Sequence, residues 1–244
     1  MGLVVPVVII EIWSDVACPW CYIGKRRFET ALSEFPHRDA VEVRWRSFQL
    51  DPSLPDHYEG TQRDYLVSRK GVDAQRIEAM FQHVARQAEI EGLGYDFDGV
   101  RVANSARALE LVHLAAAHGL ADAAEERLFS GHFERREDIG DREQLVALGV
   151  ELGLDGAEVR EALETGRYAA DVRADTDQAR QLGISGVPFF VIDRAYGVSG
   201  AQPADVFAQA LSEAWQASHP PELVVTPAGD SPDGPVCGPD GCPV

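Results

Sequence analysis

A chain of 244 residues with a formal net charge of −18 is too acidic to bind nucleic acid or an anionic membrane surface, because it would repel phosphates. With 45% apolar and 25% charged residues it has the composition of a folded domain, and it is long enough to bury a large core. The acid is unevenly spread: residues 1–54 hold 6 basic and 7 acidic side chains, so nearly all the excess lies further on.

The opening run Val4-Val5-Pro6-Val7-Val8-Ile9-Ile10 has no Lys or Arg before it and no small-residue cleavage site after it, unlike a secretory leader. It passes straight into Glu11-Ile12-Trp13-Ser14-Asp15, as a buried strand would. No later stretch reaches the length of a membrane helix. A cytoplasmic protein is expected. In a reducing compartment, closely paired cysteines are catalytic, redox-sensing or metal-binding more often than structural.

In chain order, residues 7–13 are β-branched and apolar, the pattern of a strand. Over 19–35, Ile23, Phe28, Ala31, Leu32 and Phe35 recur at helical spacing. Residues 41–48 alternate with period two, as a half-exposed strand does, and Pro52 and Pro55 end this unit. From 56 to 183 β-type runs are absent. A helix is predicted over 104–118 with Asn104 as its N-cap, and others at 145–152 and 159–163. Two short β runs, 187–192 and 195–199, are joined by a hairpin turn at Asp193-Arg194. A last amphipathic helix covers 203–215, with Pro203 in its first turn. Residues 219–244 hold 7 Pro, 4 Gly and no Lys or Arg, the composition of a flexible acidic tail. This order predicts a sheet domain from 1–54 and 184–218, a helical insertion domain over 55–183, and the tail 219–244. The helix over 19–35 would cross over between two parallel strands.

The four cysteines fall into two pairs, Cys18 with Cys21 and Cys237 with Cys242. Cys18-Pro19-Trp20-Cys21 follows the first strand and opens the first helix. First-turn amides have no intrahelical partners, and with the helix dipole they stabilise a thiolate. Two intervening residues bring the second sulfur within disulfide reach, and Pro19 suits a first helical position because it lacks an N–H. Cys18 is therefore expected to be the exposed nucleophile of a mixed disulfide, and Cys21 the more buried thiol that resolves it. The competing reading is a zinc site built from both pairs. Zinc ribbons hold their pairs roughly a few tens of residues apart, whereas Cys237 follows Cys21 by 216 positions. No metal is expected.

The segment Ile12-Trp13-Ser14-Asp15-Val16-Ala17-Cys18-Pro19-Trp20-Cys21-Tyr22-Ile23-Gly24 resembles the active-site segment of the DsbA-like branch of the thioredoxin superfamily, its FrnE-type proteins in particular. Gly186-Val187-Pro188-Phe189-Phe190 looks like that superfamily's cis-proline loop, and Val198-Ser199-Gly200-Ala201-Gln202-Pro203 follows it. The resemblance spans roughly residues 6–217. It implies an α/β thioredoxin-like fold, βαβ … ββα, with a large all-helical insertion and a flexible C-terminal tail. It also implies that Val187 and Pro188 pack beside the redox pair, with the Val187 backbone presented to an incoming peptide or thiol. An X-Pro bond is where a cis peptide is cheap; an ordinary trans proline opening a strand is the lesser alternative. Pro19 and Trp20 support the motif. The implied activity is thiol-disulfide exchange with protein disulfides and thiols or with small thiols. No bound cofactor is implied, and glutathione is a candidate co-substrate.

Two features depart from the family pattern. Thioredoxin-like proteins often hold a buried carboxylate six residues before the nucleophile, and here that position is Ile12. Glu11 is adjacent but on the other face of a strand. Asp15 remains as a candidate base, or as a helix cap. Strongly oxidising DsbA proteins have His between the cysteines; Trp20 adds no positive charge, so a more reducing pair is expected. Lys25, Arg26 and Arg27 lie further along the helix and read as a solvated face.

Cys237 and Cys242 flank Gly-Pro-Asp-Gly, a turn sequence able to close a small loop. Some FrnE-type proteins carry a similar C-terminal CxxxxC, so the resemblance implies a secondary redox pair that exchanges with the first. A flexible tail of about 18 residues spans about 23 Å, against a radius of gyration of about 17 Å for a body of about 220 residues. Contact is thus feasible, and a solvated tail that is redox-inert or binds metal weakly is the bland alternative. His113 reads as a packed histidine, and Trp13 and Trp45 as core. Two other functions fit the sequence less well. One is a glutathione-dependent isomerase of the 2-hydroxychromene-2-carboxylate type, which carries Ser at the place of Cys18. The other is a redox-sensing chaperone that uses the helices as a binding surface.

Overall fold

The computed structural model describes residues 7–56 and 58–220. The β-branched run forms strand β1 (Val8–Ser14), followed by helix α1 (Pro19–Glu34) and strand β2 (Val41–Ser47). Seven helices come next: α2 (Gln62–Ser68), α3 (Ala74–Ile90), α4 (Ala106–Ala117), α5 (Ala121–Phe133), α6 (Arg142–Glu151), α7 (Gly156–Thr165) and α8 (Ala169–Gln181). Strands β3 (Phe189–Ile192) and β4 (Tyr196–Ser199) and helix α9 (Ala204–Ser218) complete the described chain. Residues 221–244, with Cys237 and Cys242, lie outside it.

The sheet runs β2-β1-β3-β4, with β1 parallel to β2 and antiparallel to β3. β1 is central and covered on both faces, which is why its apolar run is nearly unbroken. Val8, Ile10 and Ile12 pack with Phe28 of α1, Phe190 of β3 and Phe207 of α9. On the opposite face Trp13 packs with Ala179 and Ile184, and its indole donates to the Asp175 carbonyl at 2.9 Å. Trp45 departs from its expected core position: β2 is an edge strand, so the ring is half-buried and its indole donates to Asp122.

The β3–β4 turn puts Asp193 and Arg194 at φ 49° and 55°, the positive pair that a two-residue hairpin requires. Asp193 also accepts from the Ile9 amide at 2.8 Å, fixing the hairpin to β1. Pro188 has no N–H for a ladder, so β3 begins at Phe189, two residues later than the apolar run. Pro203 and Ser105 occupy the N-cap positions of α9 and α4. Asn104 sits one residue before the cap, and its side chain still accepts from the Ala106 amide at 3.0 Å. α4 to α7 share a second core with Val16 of the loop after β1 and Val172 of α8, so the helical segment rests against the start of the CPWC loop.

Candidate active site

β1 delivers the chain to Cys18, which is the N-cap of α1, with Pro19 in the first helical position. No side chain caps this helix and no acidic residue lies in its first turn. The amides at the helix start therefore face the cysteine pair without a competing carboxylate. The Cys18 amide donates to the Asp15 carbonyl at 2.9 Å, and the Cys21 amide to the Cys18 carbonyl at 3.0 Å. Tyr95 donates from its hydroxyl to the Pro19 carbonyl at 2.7 Å, tying the segment after α3 to the motif. Both cysteines are free thiols.

The loop before β3 meets this helix start. Val187-Pro188 is a cis peptide, and the Cys18 thiol donates to the Val187 carbonyl at 3.6 Å. Gly24 permits that approach. A Cβ there would lie 2.9 Å from Pro188 Cγ and 3.5 Å from both Ala201 and Phe190. Nothing in the sequence pattern marks Gly24 as special, since only the folded loop supplies its neighbours.

Cys18 is more enclosed than an exposed nucleophile. It is 5% exposed against 1% for Cys21, because Trp20, Val187 and Ala201 pack around the pair with Tyr22 and Phe129. Trp20 leans on His83 of α3, with ring centroids 5.8 Å apart. Between the first turn of α1 and helices α2 and α3 opens a cleft of about 420 Å³. Its walls include Pro19, Trp20, Leu54, Phe81, Phe97 and His132.

Lys25, Arg26 and Arg27 do not form a solvated face. Lys25 is 2% exposed and pairs with Glu29, Asp122 and Glu126. Arg26 holds Glu29 and Glu126, and Tyr22 donates to Glu126 at 2.8 Å. Arg27 ties α1 to the end of α3 and to the loop after β4: Glu91 at 2.7 Å, Gln87 at 2.7 Å and the Ala201 carbonyl at 2.7 Å. Their carboxylate partners from beyond the helix are 64 to 101 positions away in sequence, so a helical reading of 19–35 could not foresee them.

The carboxyls around the motif differ in their commitments. Ile12 is apolar and buried, and Glu11 on the other face is held by Arg46 and Arg194. Asp15 does not cap α1. It is buried, and it accepts from the Ala17 amide at 3.1 Å and the Leu50 amide at 2.7 Å. Burial raises its pKa, and those two amides partly offset the rise. Burial and the adjacent Cys18 push the Cys21 thiol well up, while the Asp15 amide and the Ser14 hydroxyl beside the sulfur favour its thiolate. Glu125 of α5 is 1% exposed with Oε2 unpartnered, and burial pushes its pKa up to about 8. Burial also lowers His132, which lies further along the same helix, to about 4. His113 is half-buried between the Ser47 hydroxyl and Asp175, away from the cysteines.

The family model of the DSBA-like thioredoxin domain matches residues 9–212. The uncharacterised protein YwbO of Bacillus subtilis is 31% identical over 208 residues, covering 84% of this chain and 96% of that one. The crystal structure of a probable DsbA oxidoreductase of Streptomyces coelicolor superposes with a TM-score of 0.82 at 45% identity, covering 97% of this chain and 99% of the other. The cytosolic disulfide reductase DsbM of Pseudomonas aeruginosa, solved also with GSH, shares the fold at 20% identity and a TM-score of 0.59. It covers 84% of this chain and 98% of its own.

Proposed function

Since the chain belongs to the DSBA-like thioredoxin domain family, we propose that it is a thiol-disulfide oxidoreductase in which Cys18 attacks and Cys21 resolves. The observation that carries this reading is the meeting of Cys18 Sγ with the Val187 carbonyl at the start of α1. A partner disulfide that approaches along that carbonyl presents its sulfur to Cys18. The Cys18 thiolate displaces one partner sulfur and forms a mixed disulfide. Cys21 then attacks Cys18 Sγ, the second partner sulfur leaves as a thiolate, and a Cys18–Cys21 disulfide remains. Run backwards, the same steps oxidise a dithiol partner.

The partners are protein disulfides and thiols, with glutathione as the small thiol of this reading. The cleft beside Trp20 supports the first, since its apolar walls suit the side chains that flank a cysteine in a peptide. Trp20 in place of a cationic residue favours a reducing pair. The location proposed is cytoplasmic. In support, a neighbour of the same fold is a cytosolic disulfide reductase; among the described residues no helix is long and apolar enough to cross a membrane. Cys237 and Cys242 are proposed to take electrons from, or pass them to, the first pair.

Insulin reduction and refolding of a scrambled disulfide protein test the assignment. Cys18→Ser is expected to fall to the uncatalysed rate in both assays, and undiminished activity would sink it. A chain ending at Pro235 should react normally in a single turnover yet recycle more slowly. Equal recycling would remove the role given to the second pair.

A further inference from the structure

Tyr95 belongs to the segment between α3 and α4, yet its ring packs against the cluster that holds Cys18 and Cys21. Its hydroxyl donates to the Pro19 carbonyl at 2.7 Å. Pro19 is the first residue of α1, so this carbonyl and the Trp20 amide are the two ends of one planar peptide unit. Cys18 is the N-cap, with an extended backbone at φ −95° and ψ 114°. A side chain in that position accepts from the amide two or three residues on, here that of Trp20 or Cys21. The Cys21 amide is already given to the Cys18 carbonyl at 3.0 Å, and the Trp20 amide has no partner among the described residues. The Trp20 amide is therefore the donor open to a thiolate on Cys18.

We propose that Tyr95 is a positioning residue of the redox pair, favouring the Cys18 thiolate through the Pro19–Trp20 peptide. The proposal rests on the oxidoreductase reading above. In the thiol, Cys18 donates to the Val187 carbonyl. When that proton is lost to water, the sulfur turns from donor to acceptor and meets the Trp20 amide. A donor on the carbonyl end of a peptide unit polarises the amide at its other end, strengthening each bond of such a chain by about 10–30%.

The elements packed around the pair are apolar where they meet it. α3 presents Val84 and Ala88, α5 presents Phe129 and Phe133, and Val187 and Ala201 close the remaining side. The titratable groups that act on Tyr95 are Cys18, Cys21 and Tyr22 of α1 and Glu134 just beyond α5. Burial pushes the Tyr95 phenol well up from its ordinary value and the neighbouring thiols add to the rise. The hydroxyl thus keeps its proton, and remains a donor, while Cys18 ionises.

The test uses the full chain with Cys237→Ser and Cys242→Ser, so that the first pair alone reports. Tyr95→Phe removes only the hydroxyl and keeps the ring stacked on Phe133 at 4.8 Å and on Tyr22 at 6.1 Å. Two quantities are read: the ultraviolet thiolate absorbance of Cys18 against pH, and the share of Cys18–Cys21 disulfide in mixtures of reduced and oxidised glutathione. Tyr95→Phe is expected to lower the thiolate fraction on the rising limb of the titration about two- to fivefold, and to shift the glutathione equilibrium toward the disulfide by a similar factor. A tyrosine bearing fluorine beside its hydroxyl, a stronger donor introduced in place of Tyr95, should move both readings the opposite way. If neither replacement moves either reading, and Tyr95→Phe only lowers the urea midpoint, Tyr95 is a packing residue and the proposal is overturned. If the unsubstituted protein forms no Cys18–Cys21 disulfide at any glutathione ratio, the oxidoreductase reading falls, while the titration still decides the assignment of Tyr95.

Discussion

Gly24 shows how much a single side chain decides in this site. It lies in the interior of α1, where alanine would ordinarily be favoured by about 0.5–1 kcal/mol. Here the added methyl would meet the Pro188 ring at 2.9 Å, and overpacking of this kind costs about 1–3 kcal/mol. The second effect wins. Gly24→Ala is expected to destabilise by about 1 kcal/mol, read as a lower urea midpoint at unchanged slope. Because the clash pushes the Pro188 loop away from Cys18, disulfide exchange should slow as well. The cysteines could be picked out from the sequence because their chemistry is local, a sulfur pair at a helix start, and Trp20 and Pro188 through the family resemblance of their segments. Gly24 and Glu125 could not, since each matters through a neighbour that is distant in the chain.

At the scale of elements, α1 is held from several sides. Its apolar face meets β1, β3 and α9, and its cations reach α3 and α5. The periodicity of residues 19–35 reveals the first contact and hides the second, because three consecutive basic residues look the same whether water or carboxylates surround them. Arg27 is the sharpest case. Its side chain is 12% exposed and its fork binds Glu91, Gln87 and Ala201 together. Arg27→Ala would leave the half-buried Glu91 without its partner and is expected to cost about 2 kcal/mol. Arg27→Lys should recover less than half of that, because an ammonium cannot span three acceptors in a plane. Urea melts of the three proteins would decide it. Recovery by lysine would mean that charge alone, not the fork, joins these elements.

For the whole molecule, two buried groups on α5 set opposing dependences of stability on pH. Glu125 titrates at about 8 in the fold against an ordinary 4.5. It therefore keeps its proton where the unfolded chain has lost one, and stability falls as pH rises through that window. His132 titrates at about 4 against an ordinary 6.5, so the unfolded chain takes up the proton first and stability falls as pH drops below 6.5. The two slopes oppose each other between 4.5 and 6.5, and from 6.5 to about 8 Glu125 acts without His132. Unfolding free energy is expected to decline by about 2 kcal/mol across that upper window, and Glu125→Gln should flatten the decline. A decline of equal size in Glu125→Gln would show that another group causes it. The sequence by itself determined the strands, the helices α1, α4, α6, α7 and α9, and the placing of two paired cysteines at a helix start. Periodicity, β-branching and proline act over a few residues and are written where they act. Only the tertiary structure decided which charges are buried, how Cys18 is enclosed, and that a carboxyl of α5 is cut off from water. Those properties depend on which surfaces meet, and desolvation is set by neighbours that no local pattern names.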